Sequence, residues 1–202
     1  NSTAKVPSTQ ISSVVGMVRQ DPTTQLVCAT VFDEVAFGPA NLGLPKEDIV
    51  SRVTQTLELC GIADLVDAPT HTLSGGQQQL VAIASALSLH PNYLVLDEAF
   101  SQLDTRFRNH LSKLVNNLVA NGIGVLEISH SFESLPGADQ VLVLEKSHLV
   151  WAGTPTEFLS DASAITRAGF DDALTATAHQ AAQAGYDFDT PLSVSELVLF
   201  LV

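Results

Sequence analysis

Tyr93-Leu94-Val95-Leu96 is a continuous apolar run that ends in two carboxylates, Asp97 and Glu98. A short run without polar alternation suits a buried strand of a parallel sheet. Open sheets of that kind bind ligands beyond the carboxyl ends of their strands. The run therefore predicts an α/β fold with Asp97 and Glu98 at its ligand edge. One carboxylate placed there can hold Mg²⁺ through water while the next orients or deprotonates an attacking water, and phosphoryl transfer needs little more than such positioning. An Asp-Glu pair after a strand is also a common solvated turn, so the run by itself leaves both readings open. Residues 14–18 and 123–128 are further apolar runs and read as strands. At 202 residues, 46% of them hydrophobic and 15% charged, the chain can bury a sizeable core as one domain or as a domain with a small appendage.

Upstream of that strand, Leu73-Ser74-Gly75-Gly76-Gln77 leads into a pattern in which Leu80, Ile83, Ala84 and Leu87 recur at helical spacing. Ser74 stands where a helix N-cap belongs. The two glycines remove side-chain bulk from the helix start, which makes it a suitable seat for a phosphate oxygen. An ordinary capped helix has the same sequence signature. Downstream, Ser101-Gln102-Leu103-Asp104 precedes another helical pattern, with Asp104 as a second N-cap candidate, and Ser129-His130 closes the last strand. Gln20 sits before an Asp21-Pro22 turn at the end of the first strand. Read singly, Gln20 and His130 are ordinary polar residues at strand ends.

Taken in this order, the motifs resemble the ATP-binding cassette (ABC) transporter ATPases. Residues 73–79 match that family's signature motif, Asp97 its Walker B aspartate, and Glu98 its catalytic glutamate. Ala99-Phe100 replaces the usual Pro-Thr. Residues 101–104 resemble the D-loop, Gln20 the Q-loop glutamine, and His130 the switch histidine. The resemblance implies that ATP and Mg²⁺ are the cofactors. Asp97 and Gln20 would serve the metal, and Glu98, Gln20 and His130 the catalysis. Ser74, Gly75, Gly76, Gln77 and Asp104 would contact nucleotide across a dimer of two ABC ATPase subunits, identical or different. Gln20-Asp21-Pro22, followed by the run from Thr30 to Pro39, is similar to energy-coupling-factor and cobalt-type importers. That narrower likeness implies vitamin or metal-ion uptake through a transmembrane coupling subunit, with this chain peripheral on the cytoplasmic face of the membrane. The implied fold is a P-loop NTPase core with a parallel sheet and a helical subdomain. We expect a partial ATPase domain over 1–160, its helical subdomain at about 23–88, and a small helical extension over 161–202.

GxxxxGK[ST], the loop that cradles phosphates, occurs nowhere in the sequence, and the nearest candidate, residues 38–43, lacks the lysine. The expectation is thus a fragment without the N-terminal lobe, inactive by itself, with hydrolysis belonging to the complete protein. The alternative is a truncated, non-hydrolytic subunit that supplies its signature turn to a partner ATPase. A formal charge of −13 argues against nucleic acid as a partner. Cys28 and Cys60 lack metal or disulfide spacing, no signal peptide is visible, and no apolar stretch approaches the ~18 residues of a membrane span. Among finer expectations, residues 46–60 form a helix with Ile49, Val53, Leu57 and Cys60 on one stripe, and a loop follows Gly38. Residues 140–144 and 148–151 form a hairpin, and Thr156 caps the helix after it.

Overall fold

The computed structural model describes residues 11, 14–101, 103–129, 135 and 137–169. The chain divides into two compact units, 1–126 and 127–202, so the boundary expected near residue 160 falls inside the second. His130 and residues 170–202, most of the expected helical extension, lie outside the described residues.

Strands β1 (Val15–Val18), β2 (Tyr93–Asp97) and β3 (Gly124–Ile128) form a sheet in the order β1-β2-β3. β1 and β2 are parallel, with Val15 opposite Tyr93 and Val18 opposite Leu96. Side chains alternate across the sheet, and only one face is fully covered. Val18, Leu94 and Leu96 are fully buried, whereas Met17 and Tyr93 on the other face are 51% and 57% exposed. The covering element is helix α3 (Gly75–Leu87), which approaches closely because β1 carries Gly16 there. A Cβ on that glycine would lie 3.3 Å from Ala86 Cβ.

Helices α1 (Val31–Asn41) and α2 (Lys46–Leu59) pack beside α3. The stripe on α2 is as expected, with Val53, Leu57 and Cys60 buried and Ile49 packed at the edge of the core. α1 runs further than expected, through Pro39 to Asn41. Pro39 falls in the last turn and on the buried side, where its ring adds apolar contact while it forgoes one backbone hydrogen bond. Nearly the whole of α3 beyond its first turn is buried, from Gln79 to Ala84 and again at Ala86 and Leu87. Each buried Leu, Ile or Val there contributes about 1.5–3 kcal/mol, which makes α3 the anchored axis of this unit.

Helix α4 (Thr105–Ala120) buries Leu111, Leu114 and Leu118 in the same core. In the second unit, β4 (Val141–Glu145) and β5 (His148–Gly153) form the antiparallel hairpin. Its two-residue turn is Lys146-Ser147, both at positive φ, the backbone hand that matches strand twist. α5 (Pro155–Ser160) and α6 (Ala162–Arg167) follow, and Phe158, Ile165, Val141 and Val143 make the core. The cap of α5 is Thr154 and not Thr156. Pro155 fits the first helical position, and Thr154 and Glu157 complete a reciprocal capping box that Thr156 cannot form.

Candidate functional site

The parallel register sets the geometry of the acidic site. Val18 pairs with Leu96, so the residues two beyond each, Gln20 and Glu98, leave the sheet edge side by side. Gln20 Nε2 donates to Glu98 Oε2 at 2.7 Å. Both residues are held by their own turns. Gln25 straddles the exit of β1, accepting from Arg19 N at 3.0 Å and donating to Met17 O at 3.1 Å. Asp21 accepts from Thr23 N and Thr23 Oγ1, closing the next turn. Glu98 has a φ of +49°, unusual for a side chain of its size. Its carbonyl accepts from both the amide and the hydroxyl of Ser101, which pin that backbone conformation. Asp97, at the last position of β2, is half-buried, and its carboxylate has no hydrogen-bond partner among the described residues.

Asp97, Glu98 and Gln20 therefore present hard oxygen donors at the carboxyl edge of two parallel strands. Among the described residues no group of three or more His, Cys, Asp or Glu could cage a metal ion. This donor set fits Mg²⁺, which is commonly held by one or two carboxylates together with waters and phosphate oxygens.

The signature turn is built on the anchored end of α3. Ser74 is its N-cap, accepting from Gln77 N at 3.4 Å, and Gln77 Oε1 accepts from Ser74 N at 2.9 Å. This capping box satisfies the amides of Ser74 and Gln77 and leaves those of Gly75 and Gly76 as the open donors of the first turn. Helix polarity makes that end attractive to an anion. The two glycines differ in surroundings. A Cβ on Gly75 would meet nothing within 4 Å, whereas one on Gly76 would lie 2.6 Å from Phe107 Cγ.

Asp104 caps α4, accepting from Phe107 N at 2.9 Å, and Arg108 Nε donates to Leu103 O at 2.8 Å. α4 thus ties residues 103–104 to Phe107, the ring that lies on Gly76. Gln20 and Glu98 are brought into direct contact. Ser74, Gly75, Gly76 and Gln77 share one helix terminus, and His130 lies outside the described residues.

Residues that sequence reading did not single out hold these parts in place. Glu34, buried in α1, accepts from Val27 N at 2.8 Å and Cys28 N at 2.7 Å. Thr70 Oγ1 donates to Cys28 O at 2.7 Å, and Gln78 Nε2 of α3 donates to Thr70 O at 3.2 Å. A continuous run of hydrogen bonds thus joins the segment after Gln25 to the first turn of α3. No local pattern announces these partners, which lie up to 42 residues apart in sequence.

The family profile described as ABC transporter matches residues 2–101. A protein of Caldanaerobacter subterraneus, named energy-coupling factor transporter ATP-binding protein EcfA1, is 38% identical over 194 residues, covering 95% of this chain and 70% of that protein. The EcfA protein of Methanothermobacter thermautotrophicus is 38% identical over 189 residues, covering 93% of this chain and 61% of its own length. Among solved structures, cbiO1 of Clostridium perfringens, described as part of the ABC transporter complex cbiONQ, aligns with a TM-score of 0.69. It is 33% identical and covers 85% of this chain and 68% of that one. The ATP-binding cassette MJ1267 aligns with a TM-score of 0.65 at 27% identity, covering 75% of this chain and 68% of its own. The chain thus spans roughly three fifths to seven tenths of the length of the curated relatives it matches.

Proposed function

Because the chain belongs to the ABC transporter ATPases, on their energy-coupling-factor branch, we propose that it acts as the ATP-hydrolysing subunit of an importer for a vitamin or a metal ion. Its partners in this reading are a second ABC ATPase subunit and a transmembrane coupling subunit. The observation that carries the reading is the contact between Gln20 and Glu98, which a parallel register places at one sheet edge beside Asp97.

Asp97 and Gln20 would hold Mg²⁺, which neutralises charge on the transferred phosphoryl group. Glu98 accepts a proton or orients the attacking water. Its Oε2 is already engaged by Gln20, so the carboxylate is fixed in direction before water arrives. Ser74 and the amides of Gly75 and Gly76 would meet the γ-phosphate of a nucleotide held on the other subunit, and Asp104 would line that interface. His130 would contact the γ-phosphate from its own side. The loop that cradles the phosphates is supplied, in this reading, from outside the 202 residues, by the same protein or by a partner. The isolated chain would then hydrolyse ATP negligibly. Among the described residues no helix is long and apolar enough to cross a membrane. In this reading the chain is peripheral on the cytoplasmic face of the membrane, held there by the coupling subunit.

The test is Asp97→Asn in the protein expressed from its own gene and assembled with its partners. We expect Mg-ATP turnover to be largely lost, because the metal that neutralises charge on the transferred phosphoryl group would lose its carboxylate. Unchanged turnover, combined with loss of turnover in Gly75→Asp, would instead assign this chain the role of a non-hydrolytic subunit that only supplies its signature turn.

A further inference from the structure

Of the basic side chains of α4, Arg108 is turned to Leu103 O, while Arg106, His110 and Lys113 stand at positions i, i+4 and i+7, so these three lie along one stripe. They line a cleft of about 510 Å³, within the range of small-molecule sites. Its other walls come from the segment after α2, including Ile62 and Leu65, and from Gln77 and Leu80 of α3. The whole cleft lies within the first unit.

Three features set this place apart from an ordinary solvated helix face. First, the 202 residues carry only nine Lys and Arg against 22 Asp and Glu, yet Arg106 and Lys113 both face this one cleft, opposed there by Asp64 alone among acidic groups. Second, Arg106 sits in the first turn of α4, which holds no acidic residue. A cation at that end opposes the helix dipole, so its placement gains nothing for the helix. Third, the cleft is not wholly polar. Phe107, Leu65 and Leu80 give it an apolar wall, and His110 is fixed against the opposite side, its Nε2 donating to Cys60 O at 2.8 Å. Gln77 lines the cleft while its Oε1 is taken by Ser74 N, so its Nε2 is the atom available to a bound group.

We propose that this cleft binds a small organic molecule bearing two or more negative charges, a diphosphate or dicarboxylate with an apolar body. Arg106 and Lys113 are separated by seven residues, about 10 Å along the helix, and their long side chains can converge over the cleft, so together they suit a ligand that carries more than one negative charge. The apolar body lies against Phe107 and Leu65. The site is distinct from the acidic edge at Asp97, and it shares one residue, Gln77, with the signature turn.

The test uses the 202-residue chain and isotope-edited NMR, titrating inorganic pyrophosphate and, separately, citrate, each without magnesium. The expected result is saturable amide shifts confined to residues 61–65, 77 and 106–113 at millimolar ligand or below. Arg106→Gln/Lys113→Gln should weaken the affinity at least about tenfold, a loss of the size expected for removal of charge-assisted pairs. Both side chains are exposed, so the double variant should keep its helical circular dichroism, and Arg106→Glu/Lys113→Glu gives a second variant with the same expectation. Asp97→Asn should leave the shifts unchanged, which separates this site from the ATP machinery. Shifts centred on Gly75 and Gly76, equal affinity in the double variant, or no saturable shift would each overturn the assignment.

Discussion

Gly75 and Gly76 are neighbours of identical chemistry, and the structure gives them different jobs. Gly75 opens onto empty space, whereas Gly76 makes room for the ring of Phe107. Gly75→Asp should therefore keep the unfolding midpoint of the wild type while abolishing ATP-dependent dimerisation, because the new carboxylate would occupy the phosphate's approach and repel it. Gly76→Ala should do the reverse in part, destabilising the chain by about 1–3 kcal/mol as Phe107 is displaced, a cost typical of overpacking. Chemical denaturation, and size-exclusion chromatography with ATP of the protein expressed from its own gene and assembled with its partners, separate the two. Equal dimerisation by wild type and Gly75→Asp would remove the phosphate role of this turn. Much of this was legible in the sequence, since Ser74, two glycines and Gln77 announce a capped helix with a bare first turn. What spacing could not reveal was Phe107 lying over Gly76, because that contact joins residues 31 apart through packing alone. Gln20 and Glu98 are the opposite case. Their contact follows from the register of two recognisable strands, and only the pairing itself had to be seen.

Among the helices, α1 and α2 owe their positions to groups that face inward. Glu34 of α1 satisfies two backbone amides at once, those of Val27 and Cys28. Glu34→Ala leaves both donors without a partner in a half-buried loop, and we expect a loss of about 1–3 kcal/mol together with faster hydrogen exchange at Val27 and Cys28. Exchange rates equal to wild type would show that the loop is held by other means. At the end of α2, burial pushes the Cys60 thiol up to about 12 from an ordinary 9.0. The folded state therefore keeps the proton that the unfolded chain releases above pH 9. Stability from this group is complete below pH 9 and is lost between pH 9 and 12, by at most about 1.4 kcal/mol per pH unit. Cys60→Ala should flatten that part of the stability curve at the cost of a small cavity, and an unchanged slope would place the alkaline loss elsewhere. The elements were mostly visible as periodicities of 3.6 and 2. The extension of α1 through Pro39 was not, because a proline is read locally as a stop, whereas burial of its ring lets the last turn continue. The cap of α5 was misplaced for a related reason, since two threonines flank Pro155 and only the reciprocal bonds to Glu157 choose between them.

The first unit leaves apolar side chains in water where a partner would find them. Val27, shortly before α1, is 70% exposed, and Phe37, within α1, is 50% exposed. If the coupling subunit docks there, cross-links from it should fall on residues near 27–42, and cross-links confined to residues beyond 160 would deprive Gln20 of a mechanical link to transport. Arrangements of this extent were legible only as far as motif order carried them. The order 20, 74–77, 97–98, 104 and 130 was readable, but the hydrogen-bonded path from Val27 and Cys28, which meet Glu34, through Thr70 to Gln78 depends on tertiary folding. The claim on which the rest depends is that Glu98, steadied by Gln20, handles the attacking water. Glu98→Gln keeps the size and hydrogen-bonding reach of the side chain and removes its basicity, so it isolates that role. In the protein expressed from its own gene and assembled with its partners, the variant should bind ATP as well as wild type and accumulate as an ATP-bound dimer. Its hydrolysis should fall at least about 100-fold, within the range that one general base contributes. Turnover near that of the wild type, with no accumulated dimer, would contradict the account.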